Sequence, residues 1–480
     1  MRRAYNMGQP VRSKKMADSD LPGGTCTNWT YPAENGRINL MADRIFRLDR
    51  RELLTGLGIA ALGASLPDIA TAQGRLSLKL QAKAGSLALR AGQSETLIWS
   101  LQGSPPDPPL RFRRGDELEL TLQNDLPVPA VLNWRGLDGV VAAEPLAARP
   151  PLASAAKESL VIPWRHAGTL LCDLSLLGGG AARPSRGLPV IVAESEPVAV
   201  DRDEMFLIED WRLRPDGIAI APGVEPTDTT PLYTVNGLQT PDIAMRARER
   251  LRFRFVNGCQ RTVIAVKMDG YEVRVMALDS QPAEPFPARN SAIVLAPGGR
   301  ADAFVDAGET PGTTSPVLLH DGKEARPIAR LIVSSEPALR AAALPAAPAL
   351  PSNGLPAELD LRSAQRFEVT LGGPQGDWVR PADFAGSAAP AFAARAGRTV
   401  VLALTNRGVI PTVFHLHGHH FRLLDRLDDG WKPFWLDTLA IDAGQTQRVA
   451  FAAEHAGRWL IEVVATDWAA ARLVRWYNVA

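Results

Sequence analysis

Residues 248–257 read RERLRFRFVN, a charged turn followed by a strand of alternating polar and apolar side chains that ends in asparagine. The same arrangement occurs at residues 114–124, RGDELELTLQN, and at residues 396–406, AGRTVVLALTN. Alternation with a period of two is typical of a β-strand with one buried face, because successive side chains point to opposite sides. Three copies at spacings of about 130 to 150 residues indicate three related β domains rather than a short-period solenoid.

The composition agrees with a loop-rich β protein. The 480 residues include 40 glycines and 39 prolines. Short strand-like runs, bounded by Gly, Pro, Asn and Asp, continue from residue 73 onward, as in β-sandwiches and barrels. We predict an all-β chain with domains at residues 73–196, 197–335 and 357–480, and an Ala/Pro-rich linker at residues 336–356.

The charge balance argues against one class of partner. Lys and Arg number 53 and Asp and Glu 52, which gives a formal net charge of +1. A general nucleic-acid binder normally carries a basic surplus, so we expect no nucleic acid partner. No segment reaches about 18 consecutive apolar residues, so we expect no membrane span in the mature chain.

The N-terminal region resembles an export signal. Arg50 and Arg51 form an arginine pair, a weak apolar run follows at residues 55–64, and small residues follow at 70–72. This order is that of a twin-arginine signal, which predicts a periplasmic protein. The alternative is a short amphipathic helix with an exposed arginine pair.

The signal lies some distance into the chain, which bears on the start of translation. We expect translation to begin at Met41, so that residues 1–72 are an N-terminal extension and signal with cleavage near 72/73. The mature chain then begins near Gln73 and keeps only Cys172 and Cys259. Two distant cysteines give no disulfide framework, and we expect free buried thiols.

Motifs along the whole mature chain resemble those of the multicopper oxidases, and they occur in the family's order. The third domain contains FHLHGHHF, which is similar to the family's H-x-H-G-H-x-F signature. The resemblance implies three cupredoxin-like Greek-key β-sandwich domains. The motifs that carry it lie at residues 110–116, 233–237, 295–302, 414–421, 435–438 and 456–459.

The resemblance also implies copper, and the chain has too few ligands for it. The family's trinuclear centre takes eight imidazoles, and its blue copper takes two more and a thiolate, whereas this chain has 7 His in total. With Val463 at the thiolate position, no blue copper can form. The ligand positions that carry other residues here are Asn133, Arg135, Asp173, Ser175, Thr412, Glu462, Val463, Val464, Trp468 and Leu473.

Two imidazoles remain at ligand positions. His415 and His417 are two residues apart on a predicted strand, so they point to the same face. Three interpretations stay open for this pair: a structural histidine cluster, weak copper or zinc binding with a third group such as Asp173, and an oxidase with an altered centre. His419 and His420 lie close by in sequence and would support a copper-buffering role.

The resemblance is closest to a branch of the family that has lost copper, travels by the twin-arginine route and supports bacterial cell division. We therefore predict a monomeric, non-catalytic periplasmic scaffold that binds a protein partner in the cell envelope. We expect that it needs no cofactor; copper is the one that the resemblance would allow. The predicted interface is the former copper region, lined by Asn133, Arg135, Asp173 and Glu462. There Arg135 is expected to pair with one of the two carboxylates. The alternative is a copper-binding oxidoreductase of laccase or metallo-oxidase type.

Tryptophans crowd the third domain. Core packing and contact with a partner both fit them, and the sequence does not separate the two roles. The six are Trp378, Trp431, Trp435, Trp459, Trp468 and Trp476.

Overall fold

A computed structural model describes residues 75–102, 108–177, 183–372, 377–425 and 430–480. The predicted signal residues Arg50 and Arg51, and the predicted cleavage near 72/73, lie outside these residues. None of the described helices is long and apolar enough to cross a membrane. They are 3₁₀ turns of three residues at Val141–Ala143, Ser175–Leu177, Arg289–Ser291 and Pro381–Asp383.

The first eight strands form two four-stranded sheets. The strands are β1 Arg75–Leu87, β2 Thr96–Leu101, β3 Leu110–Arg113, β4 Glu117–Asn124, β5 Asn133–Arg135, β6 Lys157–Pro163, β7 Gly168–Asp173 and β8 Leu188–Ala193. Their orders are β2-β1-β4-β6 and β3-β8-β7-β5. The leucines of β4 are buried at alternate positions, as the alternation predicts.

The next twelve strands form a seven-stranded and a five-stranded sheet. They are β9 Arg202–Leu213, β10 Ala219–Ile220, β11 Thr230–Val235, β12 Asp242–Met245, β13 Arg250–Asn257, β14 Ile264–Met268, β15 Arg274–Leu278, β16 Gln281–Pro287, β17 Ala292–Leu295, β18 Arg300–Asp306, β19 Thr314–His320 and β20 Ala325–Val333. The orders are β10-β9-β13-β18-β15-β16, with β11 also paired to β9, and β12-β20-β19-β14-β17.

The last nine strands form a four-stranded and a five-stranded sheet. They are β21 Gln365–Leu371, β22 Ala393–Ala394, β23 Thr399–Asn406, β24 Thr412–Leu416, β25 Arg422–Leu423, β26 Thr438–Ile441, β27 Thr446–Ala452, β28 Gly457–Ala465 and β29 Arg472–Val479. The orders are β21-β23-β27-β25 and β22-β29-β28-β24-β26. The prediction of an all-β chain built from paired sheets is confirmed.

Three buried asparagines explain why one sequence phrase occurs three times. Asn124, Asn257 and Asn406 end β4, β13 and β23, and each side chain is fully buried. In each, Oδ1 accepts a hydrogen bond from the backbone N–H two residues later. Nδ2 donates to a carbonyl four or five residues later and to a second carbonyl in a segment 28 to 38 residues away. The amide therefore satisfies backbone groups that the end of the strand leaves buried.

One strand differs from the prediction of a single buried face. The apolar side chains of β13 enter the core, but Arg252 and Arg254 on its other face are also buried, each 1% exposed. Arg252 Nη2 lies 2.8 Å from Glu194 Oε1, and Arg254 Nη1 donates to Thr169 Oγ1 at 2.9 Å. Residues of the first domain thus cover this polar face, which the sequence pattern alone places in solvent.

The predicted linker, residues 336–356, contains no strand and is mostly exposed. Leu350 and Asn353 are buried, at 6% and 5% exposed, and Asn353 is the polar one of the two. Its side chain exchanges two hydrogen bonds with the backbone of Ala167 and donates to the side chain of Gln281 at 3.0 Å. This amide is one of the contacts that hold the linker to both of the domains that precede it.

Gly418 provides a test of packing beside the histidines. Its φ is +72°, and a Cβ there would lie 2.2 Å from Trp459 Cε3. Gly444 has φ +73° and nothing within 4 Å of the same position. Gly444→Ala should cost about 1 kcal/mol of unfolding free energy for the left-handed backbone. Gly418→Ala should cost a further ~2 kcal/mol, because Trp459 must move. Urea denaturation measures both, and equal costs would contradict the packing argument.

Candidate functional site

Strand register places the candidate site residues on facing strands. In the third domain, β24 and β28 pair antiparallel with His415 opposite Glu462. In the first domain, β5 and β7 pair antiparallel with Asn133 opposite Asp173. Directly paired residues point to the same side of a sheet, so each pair presents its polar groups together.

The Glu462 carboxylate is the centre of a buried ionic cluster that joins the first and third domains. It is 2% exposed. Its Oε2 lies 3.1 Å from Arg135 Nη2 and 2.6 Å from Arg472 Nη1. Its Oε1 accepts hydrogen bonds from Asn133 Nδ2 at 2.9 Å and from His417 Nε2 at 2.7 Å. The predicted pairing of Arg135 with a carboxylate is confirmed.

Asp173 lies at the margin of this cluster. Its Oδ2 is 4.0 Å from Arg135 Nε, and its Oδ1 accepts hydrogen bonds from the backbone and hydroxyl of Ser175. Asp173 is not the third donor near the two histidines, contrary to the expectation from the sequence. That donor is Glu462, whose position opposite His415 only the β24–β28 register reveals.

His417 lies between two carboxylates. Its Nδ1 is 3.2 Å from Glu144 Oε1, and its Nε2 is 2.7 Å from Glu462 Oε1. Burial alone would lower the pKa of His417, but the Glu144 and Glu462 carboxylates raise it to about 9. Burial likewise raises the pKa of Glu462, whereas Arg135 and Arg472 hold that pKa well below its usual range. His417 is therefore a buried cation at neutral pH.

His415 is neutral, in contrast to His417. Burial and the charge of Arg135 lower the pKa of His415 to about 4. Its Nδ1 is 3.1 Å from the carbonyl oxygen of Asp437, which can only accept a hydrogen bond, so we assign the proton to Nδ1. Its Nε2 is buried and has no hydrogen-bond partner. That atom therefore presents an unused lone pair.

The donor set does not fit the family's copper cluster. Donor atoms of His415, His417 and Glu462 lie within 4.8 Å of one another. However, Glu462 is already bound by Arg135 and Arg472, and guanidinium groups keep their charge in proteins. A metal ion here would face two fixed cations and would have to displace the proton of His417. At most, the set would hold one weakly bound ion.

A second buried pair joins the second and third domains. Arg300, which is 0% exposed, donates to both carboxylate oxygens of Asp437 at 2.8 and 2.7 Å. Arg300 Nε also donates to the carbonyl of Thr169 in the first domain at 3.3 Å. All three domains thus meet at one guanidinium group. The sequence placed Arg300 and Asp437 in family motifs but did not reveal that they touch.

His420 and His419 do not join the cluster of His415 and His417. His420 Nδ1 is 2.6 Å from Asp138 Oδ2, and its Nε2 is 2.6 Å from the carbonyl of Asp279. His419 Nδ1 is 2.7 Å from the hydroxyl of Tyr477, and its Nε2 accepts the backbone N–H of His455. The ring nitrogens of both are engaged, which argues against a copper-buffering group of four imidazoles.

The remaining ligand positions do not form one group. Val463 and Val464 border a cavity of about 370 Å³, which includes space open to solvent, beside His415 and Arg472. Trp468 lies elsewhere, with its Nε1 donating to the carbonyl of Ala221 in the second domain at 3.0 Å. Thr412 is buried on β24 near Asn406, and Leu473 is paired with Val463 across β28 and β29.

The four residues predicted to line an interaction face are buried, so that prediction is wrong. Asn133, Arg135, Asp173 and Glu462 are 0%, 4%, 5% and 2% exposed. Their polar groups bind one another between the domains, so they do not form an open face for a partner, although Arg135, Asp173 and Glu462 border the cavity beside His415.

Both cysteines of the described residues, Cys172 and Cys259, are free and buried, as expected. Burial raises the pKa of each thiol well above its usual value. His166 shares the carboxylate of Asp138 with His420, because its Nδ1 is 3.4 Å from Asp138 Oδ2 and its side chain is 14% exposed.

Comparison with known proteins gives two family matches. Residues 197–314 and 358–480 each match a family model described as multicopper oxidase. Together the two matches span just over half of the chain.

Individual relatives are distant. Multicopper oxidase MmcO of Mycobacterium tuberculosis is 23% identical over 422 residues, 74% of this chain and 78% of that protein. Cell division protein FtsP of Shigella dysenteriae serotype 1 is 27% identical over 291 residues, 54% of this chain and 60% of that protein. The chain spans 41% of the length of rice laccase-6, to which it is 25% identical.

A solved structure shows the same fold. The multi-copper oxidase from Pseudomonas thermotolerans superimposes with a TM-score of 0.71 at 25% sequence identity, covering 85% of this chain and 100% of that chain. The predicted fold class is confirmed.

Removing the charge of Glu462 should destabilise the protein strongly. Glu462→Gln leaves Arg135 and Arg472 buried with no carboxylate between them, and we expect a loss of about 3–5 kcal/mol in unfolding free energy. Asp242→Asn is the matched control, because Asp242 binds Arg330 with similar geometry at the surface. It should cost less than about 1 kcal/mol. Similar losses in the two variants, measured by urea denaturation, would show that the Glu462 cluster contributes no more than a surface pair.

The histidine cations should make stability fall at alkaline pH. The pKa values of His417 and His420 are each raised from 6.5 to about 9. Their contribution is complete below pH 6.5 and is lost as the pH rises through 9, because the folded state then binds more protons than the unfolded state. The slope is about 1.4 kcal/mol per pH unit for each proton. His420→Asn should halve the slope, and a wild-type stability that stays constant from pH 6.5 to 9 would contradict the assignment.

Proposed function

The chain belongs to the multicopper oxidase family, and on that premise we propose that it is an exported, non-catalytic member in which ion pairs replace the copper cluster. Its role is that of a scaffold that presents a surface to a protein partner in the cell envelope. The observation that carries the proposal is the Glu462 carboxylate, which binds two guanidinium groups where the family resemblance implies a copper-binding imidazole.

The geometry supports a loss of copper chemistry rather than a rearranged centre. The substituted groups satisfy one another: Asn133 and Arg135 both donate to Glu462, which in turn accepts from His417. A rearranged centre would need new donors nearby. Among the residues that the structure describes, His415, His417 and Glu462 form the only group of three or more candidate donors.

Electron entry is the second reason to propose a non-catalytic role. The resemblance implies a thiolate at the position of Val463, which is an apolar side chain, 3% exposed, on β28. A hydrocarbon offers no donor atom to copper, and without that copper the family's route for electrons from a substrate has no first acceptor. Leu473, at the axial position, is apolar as well.

Export and the identity of the partner rest on sequence alone. The arginine pair Arg50–Arg51, the apolar run and the small residues support the twin-arginine route to the periplasm. The similarity to a protein named for cell division supports a partner in the division machinery. We propose a monomer that binds this partner in the periplasm.

One observation favours a second candidate function, a copper-binding oxidoreductase or a weak mononuclear copper site. His415 Nε2 has a free lone pair within reach of His417 and Glu462. Against it stand the charges of Arg135 and Arg472, which lie on the same carboxylate. This second candidate would bind copper only after those pairs open.

Copper loading separates the two candidates. The exported protein is incubated with Cu²⁺ and dialysed, the metal content is measured, and oxygen uptake with a reducing dye is followed. We expect well below one copper per chain, no blue thiolate–copper absorption band and no oxygen uptake, because the donor set is occupied by ion pairs.

The His415→Ala/His417→Ala double variant is the control. Equal residual copper in the wild type and in the variant would show that the binding is adventitious. Oxygen uptake that depends on copper and stops with a chelator would overturn the non-catalytic proposal, and lower copper binding in the variant alone would favour the second candidate.

A further inference from the structure

A stacked arginine lies at an edge of the third domain, away from the buried cluster. Arg422 is on β25, the edge strand of the sheet β21-β23-β27-β25. The chain then returns beside this strand, with Leu424 bridged to Trp431. The return places two indole rings against the guanidinium group: its Cζ lies 4.6 Å from the ring centroid of Trp435 and 5.4 Å from that of Trp431. We refer to Arg422, Trp431 and Trp435 as the Trp–Arg–Trp patch.

The polar groups of Arg422 have no partner. Within the described part of the chain, the guanidinium makes no hydrogen bond and no ion pair, and Nε is buried with no acceptor. Burial lowers the pKa of Arg422, and no carboxylate of the described residues offsets this effect. The nearest carboxylate along the chain, Asp425, is bound by Lys432 at 2.8 Å. The patch therefore contains a half-buried cation whose charge nothing in the described residues balances.

Other arginines that stack on aromatic rings show what a purely structural stack looks like here. Each of these arginines also makes a hydrogen bond or an ion pair. The aromatic ring covers one face of the guanidinium group, while an acceptor binds its N–H groups. These arginines are Arg212 with Asp210, Arg326 with Asp321, Arg458 with the carbonyl of Gly386, and Arg475 with Asp377. Arg422 differs from all four, because within the described residues its guanidinium contacts two rings and no acceptor.

Arg422 and Trp431 lie at the partly exposed margin of a buried apolar cluster that includes Trp435. Trp431 is half-buried, and the partly buried Leu355 and Leu361 belong to the same apolar cluster. Tryptophan and arginine are the residues most enriched at energetic centres of protein interfaces. A guanidinium flanked by rings keeps its N–H groups for planar recognition of a carboxylate, which it binds through two parallel hydrogen bonds.

We propose that the Trp–Arg–Trp patch is a docking site for an acidic segment of a protein partner. A glutamate or aspartate of that segment binds the free N–H groups of Arg422, and an adjacent apolar side chain packs on Trp431. Charge complementarity selects this occupant, since the patch offers one unbalanced cation within apolar walls. The inference rests on the proposed scaffold role for the existence of a partner, but its test does not depend on copper.

Binding of a defined peptide tests the proposal on the purified full chain. The probe is a capped peptide of alternating glutamate and leucine, and the same peptide with lysine in place of glutamate is the comparison. Calorimetry and tryptophan fluorescence should show saturable binding of the glutamate peptide alone. Arg422→Gln should weaken that binding roughly tenfold or more, because a hydrogen-bonded charge pair is lost.

Arg407→Gln is the matched control, because it removes the same charge from an exposed arginine of the same domain whose side chain makes no hydrogen bond or ion pair with the described residues. It should leave the affinity unchanged. Arg422→Lys keeps the charge without the planar fork and should also weaken binding, so the test holds even where the glutamine variant unfolds. Thermal unfolding of each variant checks its fold.

Three results would overturn the proposal: no binding of the glutamate peptide to the wild type, equal weakening by Arg422→Gln and Arg407→Gln, or binding only to vesicles of phosphatidylglycerol and phosphatidylcholine. The last would assign the patch to an anionic membrane. Each leaves the copper-loading result unaffected, so a failure here is distinct from a failure of the non-catalytic proposal.

Discussion

The Glu462 carboxylate is the constraint on which the junction of the first and third domains depends. It is buried, and a buried carboxylate is tolerated only where hydrogen bonds and opposite charges replace its lost hydration. Three cations and three carboxylates meet there, and the charges balance. The cations are Arg135, Arg472 and His417, and the carboxylates are Glu462, Glu144 and Asp173. Removing Glu462 has the largest effect, because Arg135, Arg472 and His417 all bind its carboxylate.

The other domain boundaries use the same kind of contact. Arg300 binds Asp437 across the second and third domains, and Arg254 binds Thr169 across the first and second. Planar guanidinium groups suit this task because they fix direction as well as charge. A three-domain assembly held in this way does not need a shared metal ion to keep its domains together, and the fold can persist while the chemistry changes.

Sequence reasoning found the strands, the family and the pairing of Arg135, since alternation, ordered motifs and opposite charges are all readable along the chain. It did not find the partners that lie far apart in sequence. Arg472 and Glu144 meet Glu462 and His417 only through strand register and domain packing. The same reason explains why Arg252 and the predicted interaction face are buried: the sequence gives the pattern of one strand, whereas the covering surface belongs to another domain.

The two histidines at ligand positions are retained for reasons that do not require copper under the proposed function. His417 is charged and balances Glu144 and Glu462, so an apolar residue there would leave two buried carboxylates facing each other. His415 holds the carbonyl of Asp437 through Nδ1, next to the Arg300 pair. Each imidazole thus has a structural role through the groups it binds. Of the four ring nitrogens of these two histidines, Nε2 of His415 is the one without a hydrogen-bond partner in the described residues. A single free lone pair beside two guanidinium groups is a poor ligand for a metal cation.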